Sequence, residues 1–201
     1  MIMKKSIVVL IAFLSTFSVF GQDQEMETLS KVQHNGFYVV LHFKANPIEN
    51  EIAPMIGSKV AWTINRIVAL GFEATGLLPT VVLTNIAPPD RIRPLMGYGG
   101  FFVEPIFFSN KLIHLTTPVS FGSGWAGYIY DWNGSRNVDL LEQQIFWYVE
   151  PAANLELNLS RNMRLYLGAS YRFTQDIKIF ESNYRHFRGM NYQIGLKIGR
   201  F

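Results

Sequence analysis

Gly122-Ser123-Gly124-Trp125-Ala126-Gly127 matches the dinucleotide-binding fingerprint letter for letter. That chemistry needs a strand before the glycines and a helix after them, so that backbone N–H groups cradle a pyrophosphate. Here Tyr128-Ile129-Tyr130-Asp131-Trp132-Asn133-Gly134 follows, which reads as strand and then loop. Gly122 and Gly124 instead read as space for large neighbouring side chains. The four histidines are His34, His42, His114 and His186, and none is spaced for a second metal ligand. Ser120, His114 and Glu104 can be written as a triad, but six residues of strand between Ser120 and His114 span ~20 Å. A nucleophile and its base must share a hydrogen bond. His186 lies near Asp176 and Glu181, with Asp131 or Asp139 across the same rim, and it is the one remaining candidate for hydrolytic chemistry. Asn133-Gly134-Ser135 and Asn158-Leu159-Ser160 are glycosylation sequons by letter, but they read as a turn and a strand end. No catalytic residue, cofactor site or metal ligand is therefore assigned.

The elements that carry these residues show a period of two, the strand signal. In 145–159, Ile145, Trp147, Val149, Leu155 and Leu157 share one face, and Phe146, Tyr148, Glu150, Asn154 and Glu156 share the other. Similar alternation runs through 37–44, 56–64, 68–75, 101–107, 113–122, 163–173 and 191–198. This predicts eight strands. The polar faces collect Lys44, Lys59, Glu73, Glu104, Glu150, Glu156, Arg164, Arg172 and Lys197, nearly balanced in sign.

Connections between these strands alternate in length. Asn65-Arg66-Ile67, Ser109-Asn110-Lys111 and Ser160-Arg161-Asn162 read as tight polar turns. The stretches 46–55, 79–93, 130–144 and 174–188 read as long loops. A transmembrane barrel accounts for this, with both termini and the short turns in the periplasm and the long loops outside. The apolar faces then meet lipid and the charged faces fill the lumen. Eight strands leave an interior just wide enough for side chains, which predicts a packed core rather than a channel.

Turn lengths fix which charges face each other. A three-residue turn at 160–162 sets Leu159 opposite Met163 and Glu150 opposite Arg172. The same construction at 65–67 sets Lys59 opposite Glu73. Opposite charges across a ladder are favourable neighbours. A slip of one residue would turn them all to lipid.

Residues 1–21 carry Lys4 and Lys5, then an apolar run, then Gly21 before the polar Gln22-Asp23-Gln24-Glu25. This predicts a cleaved signal peptide over 1–21, a mobile periplasmic tail over 22–33 and a barrel over 34–201. The chain has 201 residues, 49% of them apolar and 16% charged, and a mean hydropathy of +0.13, which excludes a disordered chain. Its formal charge of +3 falls by two, to +1, without the leader's lysines. That leaves no footprint for nucleic acid. The absence of Cys excludes a disulfide scaffold, thiolate metal sites, a Cys nucleophile and a lipoprotein anchor, which needs a Cys at its cleavage site.

Gly57-Ser58-Lys59-Val60-Ala61-Trp62-Thr63-Ile64-Asn65, Gly97-Tyr98-Gly99-Gly100, the run 149–158, the run 167–172 and the final Gly195-Leu196-Lys197-Ile198-Gly199-Arg200-Phe201 together resemble the small eight-stranded OmpA/OmpX-like outer-membrane barrels. They look most similar to uncharacterised barrels of Bacteroidota-type outer membranes. The resemblance covers nearly the whole mature chain. It implies an envelope structural or surface-interaction protein without a cofactor, with an outer-membrane hydrolase as the alternative. The implied partners are outer-membrane lipids, the barrel assembly machinery and an unknown extracellular ligand. Barrels of this kind end in an aromatic that the assembly machinery reads, and Phe201 holds that position.

Overall fold

A computed structural model describes residues 35–48, 51–78, 92–130, 139–175, 177–179, 182–184 and 188–201. The strands are β1 (Gly36–Ile48), β2 (Glu51–Ile64), β3 (Val68–Leu77), β4 (Ile92–Phe107), β5 (Ile113–Thr116), β6 (Val119–Tyr130), β7 (Asp139–Ser160), β8 (Met163–Thr174), β9 (Ile177–Ile179), β10 (Ser182–Tyr184) and β11 (Gly189–Arg200). Nine of them form one antiparallel sheet, and β9 and β10 pair as a small separate hairpin. The sheet closes on itself, because β11 pairs with β1 from Phe37↔Arg200 to Ala45↔Tyr192 while β3 pairs with β4 and β6 with β7. Closure leaves no open edge to aggregate.

Nine strands occupy eight positions in this ring. β5 and β6 have the same neighbours, β4 and β7, in a register that carries across the break between them and shifts against β7 only at Tyr128/Ile129. Facing residues sum to 222 against β4 on either side of the break and to 270 against β7. They contain the single predicted strand 113–122 and carry it on to Tyr130, with an interruption at Thr117-Pro118 because proline has no N–H for the ladder. Ala152 N still donates to Pro118 O at 2.8 Å, so the wall stays closed there.

Three of the expected connections need correction. The stretch 46–55 is not a long loop, since β1 runs to Ile48, β2 begins at Glu51 and these two residues face each other. Pro47 and Pro54 suggested a break. Both lie beyond the last ladder pair of their strand with its other neighbour, Ala45↔Tyr192 for β1 and Met55↔Leu77 for β2. A missing N–H is tolerated where one side of a strand is open. The strict alternation of short and long connections therefore fails at this loop. The turn after β4 has five residues, 108–112, with Phe108 at φ 59° and Lys111 N bonded to Phe108 O at 2.8 Å. At 160–162 the turn proper is Arg161-Asn162, with Ser160 facing Met163 and a bulge between Asn158 and Ser160. The bulge takes up Leu159, so from Asn158↔Arg164 onward the register is the one a three-residue turn would set. Asn65-Arg66-Ile67 does join Ile64 to Val68 as a three-residue turn, with Asn65 at φ 51° and Arg66 at φ 60°. β4 and β7 also begin earlier than the alternation suggested, at Ile92 and Asp139.

The side chains divide by face. Phe37, Leu41, Trp62, Phe72, Phe101, Phe121, Trp147, Leu155, Leu167 and Ile194 are exposed on the outer surface. All nine predicted lumen charges are buried inside, together with Tyr38, Tyr98, Tyr148, Tyr166 and Phe102. A chain in water places these classes the other way round. An apolar outer wall around a polar, charged core is stable where the surrounding solvent is hydrocarbon. The fold is a transmembrane β-barrel.

Candidate functional site

The lumen holds the chemistry-bearing side chains of the barrel, and large ones fit because glycines lie beneath them. Tyr166 covers Gly195, where a Cβ would come within 2.5 Å of the ring, and His42 lies against Gly57 at the same separation. Gly122 and Gly124 sit in mid-strand on β6, next to Gly100 and beneath Tyr98 and Phe146 respectively. The strand runs on through them to Tyr130, whereas the dinucleotide fingerprint needs a helix directly after the glycines.

Near the long-loop end, Arg172 is fully buried and reaches across the lumen. Its Nε donates to Glu150 Oε2 at 2.9 Å, and one terminal nitrogen donates to Tyr98 OH at 2.9 Å and to Asn191 Oδ1 at 3.2 Å. The guanidinium stacks 4.3 Å from the Tyr98 ring centre, and the sulfurs of Met55 and Met96 lie 3.7 Å from its nitrogens. One side chain on β8 thus ties β2, β4, β7 and β11. Glu150 also accepts from Lys44 Nζ at 2.7 Å and from Ser170 Oγ at 2.7 Å.

Midway along the barrel, Lys59 Nζ lies 2.7 Å from Glu73 Oε2, and Tyr148 OH donates to Glu73 Oε1 at 3.2 Å. Toward the short turns, Lys197 bridges Glu104, at 2.5 Å, and Glu156. Glu104 accepts from Tyr38 OH at 3.1 Å, and Glu156 accepts from Thr116 Oγ1 at 3.1 Å and meets His114 Nε2 at 3.1 Å. Charges with several hydrogen bonds each can be held in a dry interior, where a lone charge cannot.

Lys59 with Glu73 and Glu150 with Arg172 are therefore neighbours, as the hairpin registers require. The register could not show the third partners. Lys44 meets Glu150 across 106 residues of sequence, and Lys197 meets Glu104 across 93. These are contacts through the lumen rather than along a ladder, and only the unmatched charge on each polar face hinted at them. Ser120, His114 and Glu104 do not assemble: His114 bonds Glu156, Glu104 bonds Lys197 and Tyr38, and Ser120 faces Glu150 along the ladder. Among the described residues no group of three or more His, Asp or Glu is placed to hold a metal ion. His34, His186, Asp131, Asp176 and Glu181 lie outside the described residues, as do the leader 1–21 and the tail 22–33.

Phe201 packs inward at the short-turn end. Its ring lies 5.6 Å from that of Tyr38, and the Arg164 guanidinium stacks on it at 3.8 Å.

Comparison with solved structures agrees with this architecture. The Neisserial surface protein A superposes with a TM-score of 0.52 over 84% of this chain and 99% of its own, at 11% sequence identity. The fold is that of a small outer-membrane β-barrel. The N-terminal barrel domain of Pseudomonas aeruginosa OprF (TM-score 0.49, 9% identity, 84% and 99% coverage) and Ail, the attachment invasion locus protein of Yersinia pestis (0.48, 11%, 83% and 97%), are also similar. No protein-family model and no curated protein sequence matches the chain.

Proposed function

We propose that this barrel resides in the outer membrane as an envelope structural or surface-interaction protein, with no solute path through its lumen and no catalytic step of its own. The observation that carries this reading is the Arg172 network. A fully buried cation bonded to partners on three other strands, with Lys44 bound to the same Glu150, occupies the cross-section where a pore would need water. Opening such a path would break buried ion pairs, each costing about 3–5 kcal/mol when one partner is lost. On this reading residues 1–21 are a signal peptide removed after Gly21, and Phe201 is the terminal aromatic presented to the barrel assembly machinery. The outer apolar wall contacts outer-membrane lipids, and any extracellular ligand is taken by the loops at the rim. Planar-bilayer recording tests the central point. Refolded protein gives no large steady current, and stable single channels of porin size would make the pore the correct function instead.

A further inference from the structure

We propose that the short-turn mouth of the barrel holds an oxyanion site built for a phosphate group. A cavity of about 740 Å³ opens there, lined by Arg66, Arg161, Arg164, Arg200, Asn158 and Asn162 among others, with no acidic side chain in its wall. Four arginines line it, from the β2–β3 turn, the β7–β8 turn, the start of β8 and the end of β11.

Arg164 distinguishes this cavity from a scatter of surface charge. It is only 7% exposed, and no hydrogen bond or ion pair joins it to another described residue. The flat face of its guanidinium is pinned on the Phe201 ring, which also lines the cavity. Stacking satisfies the face and leaves the in-plane N–H donors without acceptors. The in-plane N–H edge is not sealed off by the protein and lines the cavity, where it is open to an acceptor from outside the chain. Arg66 adds a second, independent sign: its Nε is buried and has no hydrogen-bond partner, while the backbone holds this residue at φ 60° in its turn.

The frame around these arginines is fixed by other bonds. Asn162 Nδ2 donates to Gly199 O at 3.0 Å and Gly199 N to Asn162 O at 2.9 Å, tying the β7–β8 turn to the last strand. Asn158 Nδ2 donates to Lys111 O at 2.9 Å, tying β7 to the next turn round the ring. The mouth is thus held in shape before a ligand arrives.

Paired guanidinium forks match the oxygens of phosphate, with two parallel N–H···O bonds per fork. The phosphate can come from a soluble anion or from a phospholipid headgroup of the adjoining leaflet, since exposed Ile67, Phe108 and Leu112 carry the apolar wall down to this end.

Two titrations of the refolded full chain test the site. Inorganic phosphate is titrated in neutral detergent and followed by phosphorus NMR. Spin-labelled phosphatidylglycerol is compared with spin-labelled phosphatidylcholine in phosphatidylcholine vesicles. A soluble source gives saturable phosphate binding, and a lipid source gives preferential immobilisation of the phosphatidylglycerol label. In either case Arg164→Gln weakens the interaction about tenfold, the loss of one charge-assisted hydrogen-bonded contact. Arg164→Lys weakens it too, because the charge remains and the fork does not. Should Arg164→Gln fail to refold, the exposed pair Arg161→Gln with Arg200→Gln reduces binding several-fold. Absence of binding in both titrations, or binding that survives these substitutions, overturns the proposal.

Discussion

Glu150→Gln removes one oxygen's charge and almost no volume, yet it should be among the most damaging changes in this chain. The wild-type carboxylate is 2% exposed and accepts from Lys44, Ser170 and Arg172 at 2.7, 2.7 and 2.9 Å. In the variant, the amide oxygen can still accept from Lys44 and Ser170, but the amide nitrogen then points one donor at the Arg172 Nε–H. Two buried cations lose their shared counter-charge. Removing one partner of a buried pair costs about 3–5 kcal/mol, which lowers the urea midpoint by about 2 M for a slope near 2 kcal/mol/M. Arg172→Met should cost less, about 1–3 kcal/mol. It leaves Glu150 paired with Lys44 and Ser170, and a methionine there joins Met55 and Met96. The two changes combined should cost less than their sum by at least about 1 kcal/mol, since each removes what the other leaves uncompensated. Reversible urea unfolding in lipid vesicles, followed by tryptophan emission, measures all three. An Arg172→Met variant less stable than Glu150→Gln, or a Glu150→Gln variant within about 1 kcal/mol of wild type, would refute the claim that Glu150 is the electrostatic hub of this end of the lumen.

Other positions give independent checks. Gly195→Ala places a methyl group 2.5 Å from the Tyr166 ring and should destabilise by about 1–3 kcal/mol through overpacking, read from the same urea titration. Trp147 is 68% exposed on the outer wall, so Trp147→Arg should cost about 2–4 kcal/mol if the residue sits near the bilayer midplane and slow insertion into vesicles. Asn65 occupies the left-handed region at φ 51°. Asn65→Gly should therefore fold as well as wild type, whereas Asn65→Val should lose about 1–2 kcal/mol, with equal stabilities counting against the turn.

Face assignment was readable from the sequence because a barrel this narrow permits one polar face, and a misplaced charge is expensive on the other. Lys59, Glu73, Glu150 and Arg172 all took the inward parity from alternation alone. Strand ends were less readable. Pro47 and Pro54 resemble terminators until it is known that β1 and β2 have only one paired neighbour at those positions. The glycine-rich run Met96-Gly97-Tyr98-Gly99-Gly100 hid the upper part of β4, although its tyrosine becomes an anchor for Arg172. Contacts through the lumen were readable only as an unmatched charge, without its partner. Lys197 bridging Glu104 and Glu156 depends on ring closure, which brings β11 opposite strands far from it in sequence. The stacking of Arg164 on Phe201 was equally hidden, because alternation placed Arg164 among balanced lumen charges.

The central claim is that the apolar wall faces hydrocarbon and the charges face inward. The most direct measurement uses a variant with Trp147 as the sole tryptophan, refolded into vesicles and exposed in parallel to lipids brominated along the acyl chain and to a water-soluble quencher. A lipid-facing Trp147 is quenched strongly by the brominated chains and hardly at all from the aqueous phase. Strong aqueous quenching with no effect of bromine would place that wall in water and contradict the transmembrane barrel.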